Sequence, residues 1–336
     1  MRARRSSSAA WRIDGRLSAN KRVLVTGAGG FIGRHSTAPL RAAGYEVHAV
    51  FSNKPLRANE TAGVKTHRAD LLDPASIDAL IQAVRPTHLL HFAWIATPGL
   101  YWNSAENYRW LEAGQYLLRS FKEGGGRRAV MAGSCAEYDW SRIDICHERT
   151  SPLAGASGTA VGAYPKCKIA MQRALEEFGR AHDLSSAWGR IFFQFGPGEH
   201  PQRLVASVII DLLSGREALC SHGRQIRSFL HVADVGRAFA AVLASELEGP
   251  VNIGSGERIS IAELLGRIAR TIGRPELLNL GARRSLPFEP DILLPDIARL
   301  RGEVGWTPRL TLDQGIADAI DWWRERLIEG GGRVGG

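Results

Sequence analysis

The chain has 336 residues, 44% hydrophobic and 23% charged, a balance that excludes a disordered or fibrous protein and suits one large unit or two modules sharing a core. No segment reaches the roughly 18 consecutive apolar residues of a membrane span, since the best run, 204–213, is broken by Asp211. The formal charge of +9 is concentrated at the start, where Arg2, Arg4, Arg5, Arg12, Arg16, Lys21 and Arg22 face only Asp14, so the body lacks the basic stripe of a nucleic-acid binder.

Residues 1–20 are rich in Arg and Ser, lack the apolar segment of a secretory leader, and are expected to be a disordered extension. From residue 21, strands and helices alternate. Residues 22–26 form a β-branched run ended by glycines, and Phe31 to Ala43 has helical spacing until Gly44. The pattern continues with strand 46–51, helix 74–84, strand 87–92, helix 103–122, strand 128–132, helix 163–181 and strand 186–192. Strands separated by helices of this length need crossover connections, which predict an α/β fold of the Rossmann type, a doubly wound parallel sheet covered on both faces. Past Gly196-Pro197-Gly198 the pieces shorten between Pro-rich links. A dinucleotide-binding domain over 21–195 is therefore expected, with a smaller substrate-binding module over 196–330 and parts of the later chain returning to the first domain. The last helix, near 312–328, places Ile316, Ile320 and Trp323 on one apolar stripe.

Between the first strand and first helix, Gly27, Gly30 and Gly33 have the spacing G-x-x-G-x-x-G. Glycine there permits a tight turn, close backbone approach to a pyrophosphate and helix packing, so a dinucleotide site is predicted. An NAD site usually carries an acidic residue about 20 positions further on, for the ribose 2′-hydroxyl. Here the second strand ends in Ser52, Asn53 and Lys54, with Arg34 and Arg57 as helpers. That set points to the 2′-phosphate of NADP(H), with NAD(H) as the alternative; an ordinary polar turn is the other reading.

Tyr164 and Lys168 stand four residues apart at the start of a helix, in a chain with six of each. A lysine beside a tyrosine is expected to lower the phenol pKa and let the pair move a proton near neutral pH. Cys135, Cys146, Cys167 and Cys220 show no metal-ligand spacing, so no metal site is expected, and reduced thiols suggest a cytoplasmic protein.

Taken together, these motifs resemble those of the extended short-chain dehydrogenase/reductase family, and within it the nucleotide-sugar epimerases, dehydratases and reductases. The resemblance runs from about residue 22 to 328. It implies a cofactor turn at Gly27, Gly30, Phe31, Ile32 and Gly33, an adenine-side segment at Asp70 and Leu71, and a third-strand element at Phe92, Ala93 and Trp94. Ile191 falls on the cofactor side as well. It also implies a catalytic Ser134, in an element ending at Tyr138, and the catalytic pair Tyr164 and Lys168, both of which touch the cofactor. Arg227, in Arg227-Ser228-Phe229, matches the arginine that meets a nucleotide-sugar diphosphate, with Arg203 as a second substrate contact. Gly305-Trp306-Thr307-Pro308 resembles the family's C-terminal signature. A homodimer through the helices 103–122 and 163–181 is implied, with a nucleotide-diphosphate sugar as partner.

Departures bear on the reaction. The family's dehydratases carry Asp-Glu directly after the catalytic Thr, and this chain has Cys135 and Ala136 there. Cys135 reads as a small core residue, and Phe193 replaces an Asn that bonds substrate. Trp94, Tyr101, Trp102, His200 and Arg203 are candidates for the sugar pocket. The favoured expectation is an NADPH-dependent reductase of the C4 ketone of a nucleotide-linked 4-keto-6-deoxyhexose, with Tyr164 as proton donor. An NAD-dependent 4-epimerase is the alternative, and a non-catalytic dinucleotide sensor the remote one.

Overall fold

A computed structural model describes residues 21–57, 60–141, 143–156, 161–285 and 289–329. The extension expected over 1–20 lies outside the described residues. Seven strands build one parallel sheet: β1 (Arg22–Thr26), β2 (Glu46–Phe51), β3 (Val64–Arg68), β4 (His88–His91), β5 (Arg128–Ser134), β6 (Ser185–Ile191) and β7 (Gly249–Ile253). Their order across the sheet is β7-β6-β5-β4-β1-β2-β3, with every neighbouring pair parallel. The winding reverses between β1 and β4, and the crevice beyond the carboxyl ends of these strands is where such sheets bind ligands.

Alternate residues of the central strands feed two cores. Leu24, Leu89, Ala129 and Met131 face helices α2 (Pro74–Val84), α3 (Glu106–Glu123) and α4 (Ala163–His182), meeting Ile77, Leu117, Phe121 and Leu175. Val23, Val25, Leu90 and Val130 face the other way, toward Leu40 of α1 (Thr37–Ala42), Val235 and Phe239 of α6 (Val232–Ala244) and the core that Leu300 of the short α8 (Ala298–Gly302) shares. Covering both faces explains why these strands read as continuous apolar runs. A third core joins α5 (Leu204–Leu213), α7 (Ile261–Ile272) and α9 (Leu312–Glu329) in the C-terminal half. That half is not separate from the first. Helix α6 and strand β7 return to the large sheet, where β7 pairs with β6.

Two elements differ from the sequence reading. The helix expected over 31–43 is a 3-10 turn, Gly33–Ser36, followed by the short α1. Pro39 has no N–H to donate backward and fits only the first helical turn, so the regular helix begins just ahead of it. Strand β3 has no counterpart in the sequence reading. Val64-Lys65-Thr66-His67-Arg68 lies on the sheet's edge and is mostly exposed, so burial imposes no apolar pattern on it.

Candidate active site

The glycine-rich turn follows β1 directly. Gly27 has φ +65°, and a Cβ there would lie 2.8 Å from the Ala93 backbone nitrogen; only glycine meets both conditions. A Cβ on Gly33 would overlap the Gly27 carbonyl, and one on Gly29 the Lys54 carbonyl. Glycine thus lets the turn pack tightly on itself, on β4 and on the β2 tip, the compact form of a dinucleotide-binding turn.

Around the cradle, the Phe92 N–H donates to the Thr26 carbonyl at 3.2 Å, and the Phe92 ring meets Phe239 edge-on at 4.8 Å. Phe31 and Ile32 are half-buried on the turn, while Leu71 and Ile191 are buried. Asp70 is exposed, its Oδ1 accepting from the Leu72 N–H at 3.0 Å. Ser52, Asn53 and Lys54 are exposed at the β2 tip. The two helper arginines are already engaged. Arg34 donates to the Gly30 and Gly29 carbonyls at 3.1 and 2.6 Å and pairs with Glu60 at 3.5 Å. The Arg57 guanidinium lies 5.4 Å from the Trp322 ring of α9.

Ser134 ends β5 and caps the 3-10 turn Cys135–Glu137: its Oγ accepts from the Ala136 N–H at 3.2 Å, while Glu137 Oε1 accepts from the Ser134 N–H at 2.7 Å. Glu137 is itself buried and held by Arg190 Nε at 2.8 Å and Trp188 Nε1 at 2.9 Å. Arg190 reaches on to Gln172 Oε1 at 2.6 Å. This braced network fixes Ser134 and was not singled out from sequence, although Ser134 and Glu137 form a legible capping box. Tyr164 and Lys168 lie on the first two turns of α4, with Pro165 between them. The Ser134 side chain lies beside the Tyr164 phenol, near enough to favour its ionised form.

Electrostatics here run against the sequence expectation. Burial raises the Tyr164 phenol well above its ordinary value, with the Ser134 side chain opposing this. Burial also brings Lys168 down to about 7, partly opposed by Glu137. The reason is geometric: Lys168 Nζ turns to the Ala132 carbonyl at 2.8 Å and the Trp94 ring at 3.9 Å.

Aromatic rings crowd around Tyr164. Tyr101 meets it edge-on at 4.8 Å and Trp102 lies 6.2 Å away, with the Trp102 carbonyl accepting from the Tyr164 N–H at 3.0 Å. The Arg203 guanidinium is 5.9 Å from the Tyr101 ring. His200 is exposed, its ring Nδ1 accepting from the Gln202 N–H at 3.2 Å. Cys135 packs with Tyr138, Cys146 and Phe192, and burial pushes its thiol up to about 12. Arg227 is 1% exposed. It donates to the Ile226 and Pro290 carbonyls at 2.9 and 2.7 Å and pairs with Glu289 at 3.2 Å, while its Nε has no partner among the described residues. Glu289 went unnoticed in the sequence, because only the fold brings 227 and 289 together.

The sequence profile described as "NAD dependent epimerase/dehydratase family" matches residues 23–254, which spans the cradle, Ser134, Tyr164 and Lys168. The chain belongs to that family. Among curated members, the dTDP-4-dehydro-6-deoxy-D-allose reductase of Streptomyces sp is 28% identical over 328 residues, covering 91% of this chain and 97% of that protein. The UDP-glucose 4-epimerase of Thermus thermophilus, solved with NAD, is 26% identical with a TM-score of 0.76, covering 90% of this chain and 99% of its own. MoeE5, solved with UDP-glucuronic acid and NAD, is 28% identical with a TM-score of 0.75, covering 91% and 99%. Epimerase/dehydratase family members are NAD-dependent enzymes of nucleotide sugars, and their Rossmann-type fold is the one found here. No helix among the described residues is long and apolar enough to cross a membrane.

Proposed function

We propose that the protein reduces the C4 ketone of a nucleotide-linked 4-keto-6-deoxyhexose, using NADPH. One observation carries this reading: the Ser134 side chain stands beside the Tyr164 phenol, while the two positions after Ser134 hold a protonated thiol, Cys135, and Ala136. Proton donation to a carbonyl is therefore provided for, and acid/base removal of water from the sugar is not.

When bound, the dinucleotide supplies the hydride. Tyr164, kept as a neutral phenol by burial, gives its proton to the oxygen that becomes the alkoxide, completing a secondary alcohol. Ser134 donates a hydrogen bond to the same oxygen. Lys168 binds the nicotinamide ribose and stabilises the phenolate left behind. Gly27, Gly30, Phe31, Ile32 and Gly33 hold the pyrophosphate, Ser52, Asn53 and Lys54 the 2′-phosphate, and Asp70 and Leu71 the adenine. Phe92, Ala93, Trp94 and Ile191 line the cofactor, and Arg203 and Arg227 serve the substrate.

The nearly full-length likeness to a dTDP-sugar ketoreductase supports this reaction, and the lack of a carboxylate at Ser52-Asn53-Lys54 supports NADPH. A second reading, 4-epimerisation with retained NAD, is favoured by the 26% identical epimerase solved with NAD. We further infer a homodimer through α3 and α4, and a reducing, cytoplasmic setting for the four buried free thiols. Cofactor content separates the two reactions. Protein purified without bound NAD that binds NADPH more tightly than NADH supports the reductase, whereas tightly bound NAD, or at least tenfold tighter NADH, supports the epimerase.

A further inference from the structure

Lys168 is 4% exposed, and its ammonium has one hydrogen-bond acceptor among the described residues, the Ala132 carbonyl at 2.8 Å. An ammonium has three N–H donors, so two are left where almost no water reaches. The Trp94 indole face serves them instead. Nζ lies 3.9 Å from the ring centroid, well within the roughly 6 Å of a cation–π contact, whereas the Tyr164 and Trp188 rings stand at 5.9 and 5.8 Å.

The indole is fixed from its other side. Its Nε1 donates to Asn107 Oδ1 at 2.9 Å. Asn107 is fully buried and donates in turn to the Tyr101 and Ser104 carbonyls at 2.6 and 2.9 Å. Tyr101 then sets its ring against Tyr164. An unbroken set of contacts thus runs from Lys168 through Trp94, Asn107 and Tyr101 to Tyr164.

We propose that Trp94 is a positioning residue: its indole face holds the Lys168 ammonium charged and in place, and through Asn107 and Tyr101 it ties that placement to Tyr164. Burial favours the neutral amine, and the ring face opposes that loss of charge. The other groups facing Lys168 are Glu137 after β5, which favours the charge, the Cys167 thiol on its own helix, and His91 on β4. His91 is brought down to about 3 by burial and Cys167 is raised, so near neutral pH Lys168 is the member of this group that titrates.

The placement is testable without substrate; only its effect on turnover rests on the role proposed for Lys168. Indole emission of the cofactor-free protein is titrated across neutral pH for wild type, Trp94→Phe and Lys168→Met. Wild type should show a component with a midpoint at about 7, absent from both variants. Persistence of that component in either variant, or its absence from wild type, would overturn the proposal. On whichever sugar the wild type turns over, Trp94→Leu should move the limb that falls with rising pH about one unit lower, the scale of a desolvated cation–π contact. Trp94→Phe, which keeps a ring face, should move it less. Equal shifts for Leu and Phe would also overturn the proposal. Failure to find any such sugar, with the emission result intact, counts against the ketoreductase alone.

Discussion

Burial outweighs charge pairing at several single residues, and Glu199 shows it most simply. It is 6% exposed, its Oε2 has no partner among the described residues, and burial raises it from 4.5 to about 8. The folded state therefore holds a proton that the unfolded chain has lost between these values, so stability falls as pH rises through that window. Glu199→Gln cannot ionise. Thermal melts should show it unchanged at pH values below the window and a few degrees more stable above it; equal destabilisation at both ends would contradict this. Arg227 gives a second case. Glu289 occupies its fork and also accepts from Gln225 Nε2 at 2.9 Å, so a diphosphate must compete with that carboxylate. Glu289→Gln should lower KM for the nucleotide sugar several-fold with kcat little changed, and Arg227→Ala should raise KM. Steady-state kinetics check both, and opposite signs would remove Arg227 from the substrate site.

Elements were legible where burial or chemistry imposed a pattern. The apolar β1 followed by three spaced glycines, and a tyrosine and lysine one helical turn apart, were readable because local spacing alone places them on one cradle and one helix face. The polar edge strand β3 was not, since nothing buries it, and Pro39 shortened α1 against a favourable periodicity. The network of Glu137, Trp188 and Arg190 was hidden for another reason: its partners are more than 50 residues apart in sequence and meet only once β5 and β6 pair. Helices α3 and α4 carry an oligomerisation expectation of their own. They pack together and leave a groove of about 520 Å³ lined by Leu118, Ala174 and Phe178. Light scattering at micromolar concentration should find a homodimer, and Phe178→Glu, a charge placed in that groove, should yield a folded monomer. A monomeric wild type would contradict the interface.

For the whole molecule, the parallel sheet holds a dinucleotide cradle beside β1 and a hydroxyl pair beyond β5, while the C-terminal half brings Arg203 toward the same pocket and returns α6 and β7 to the sheet. On the reaction proposed above, this placement would bring cofactor, proton donor and sugar into one crevice with Tyr164 at its centre. The measurement that bears on it most directly is NADPH-dependent turnover of dTDP-, CDP-, GDP- and UDP-linked 4-keto-6-deoxy sugars by wild type and Tyr164→Phe. The account expects one of these sugars to be reduced to its 4-hydroxy product with matching NADPH consumption, and kcat to fall roughly 10²–10⁴-fold in Tyr164→Phe while NADPH affinity stays the same. Near wild-type turnover by Tyr164→Phe, or interconversion of 4-epimers by wild type with no net NADPH consumed, would contradict it.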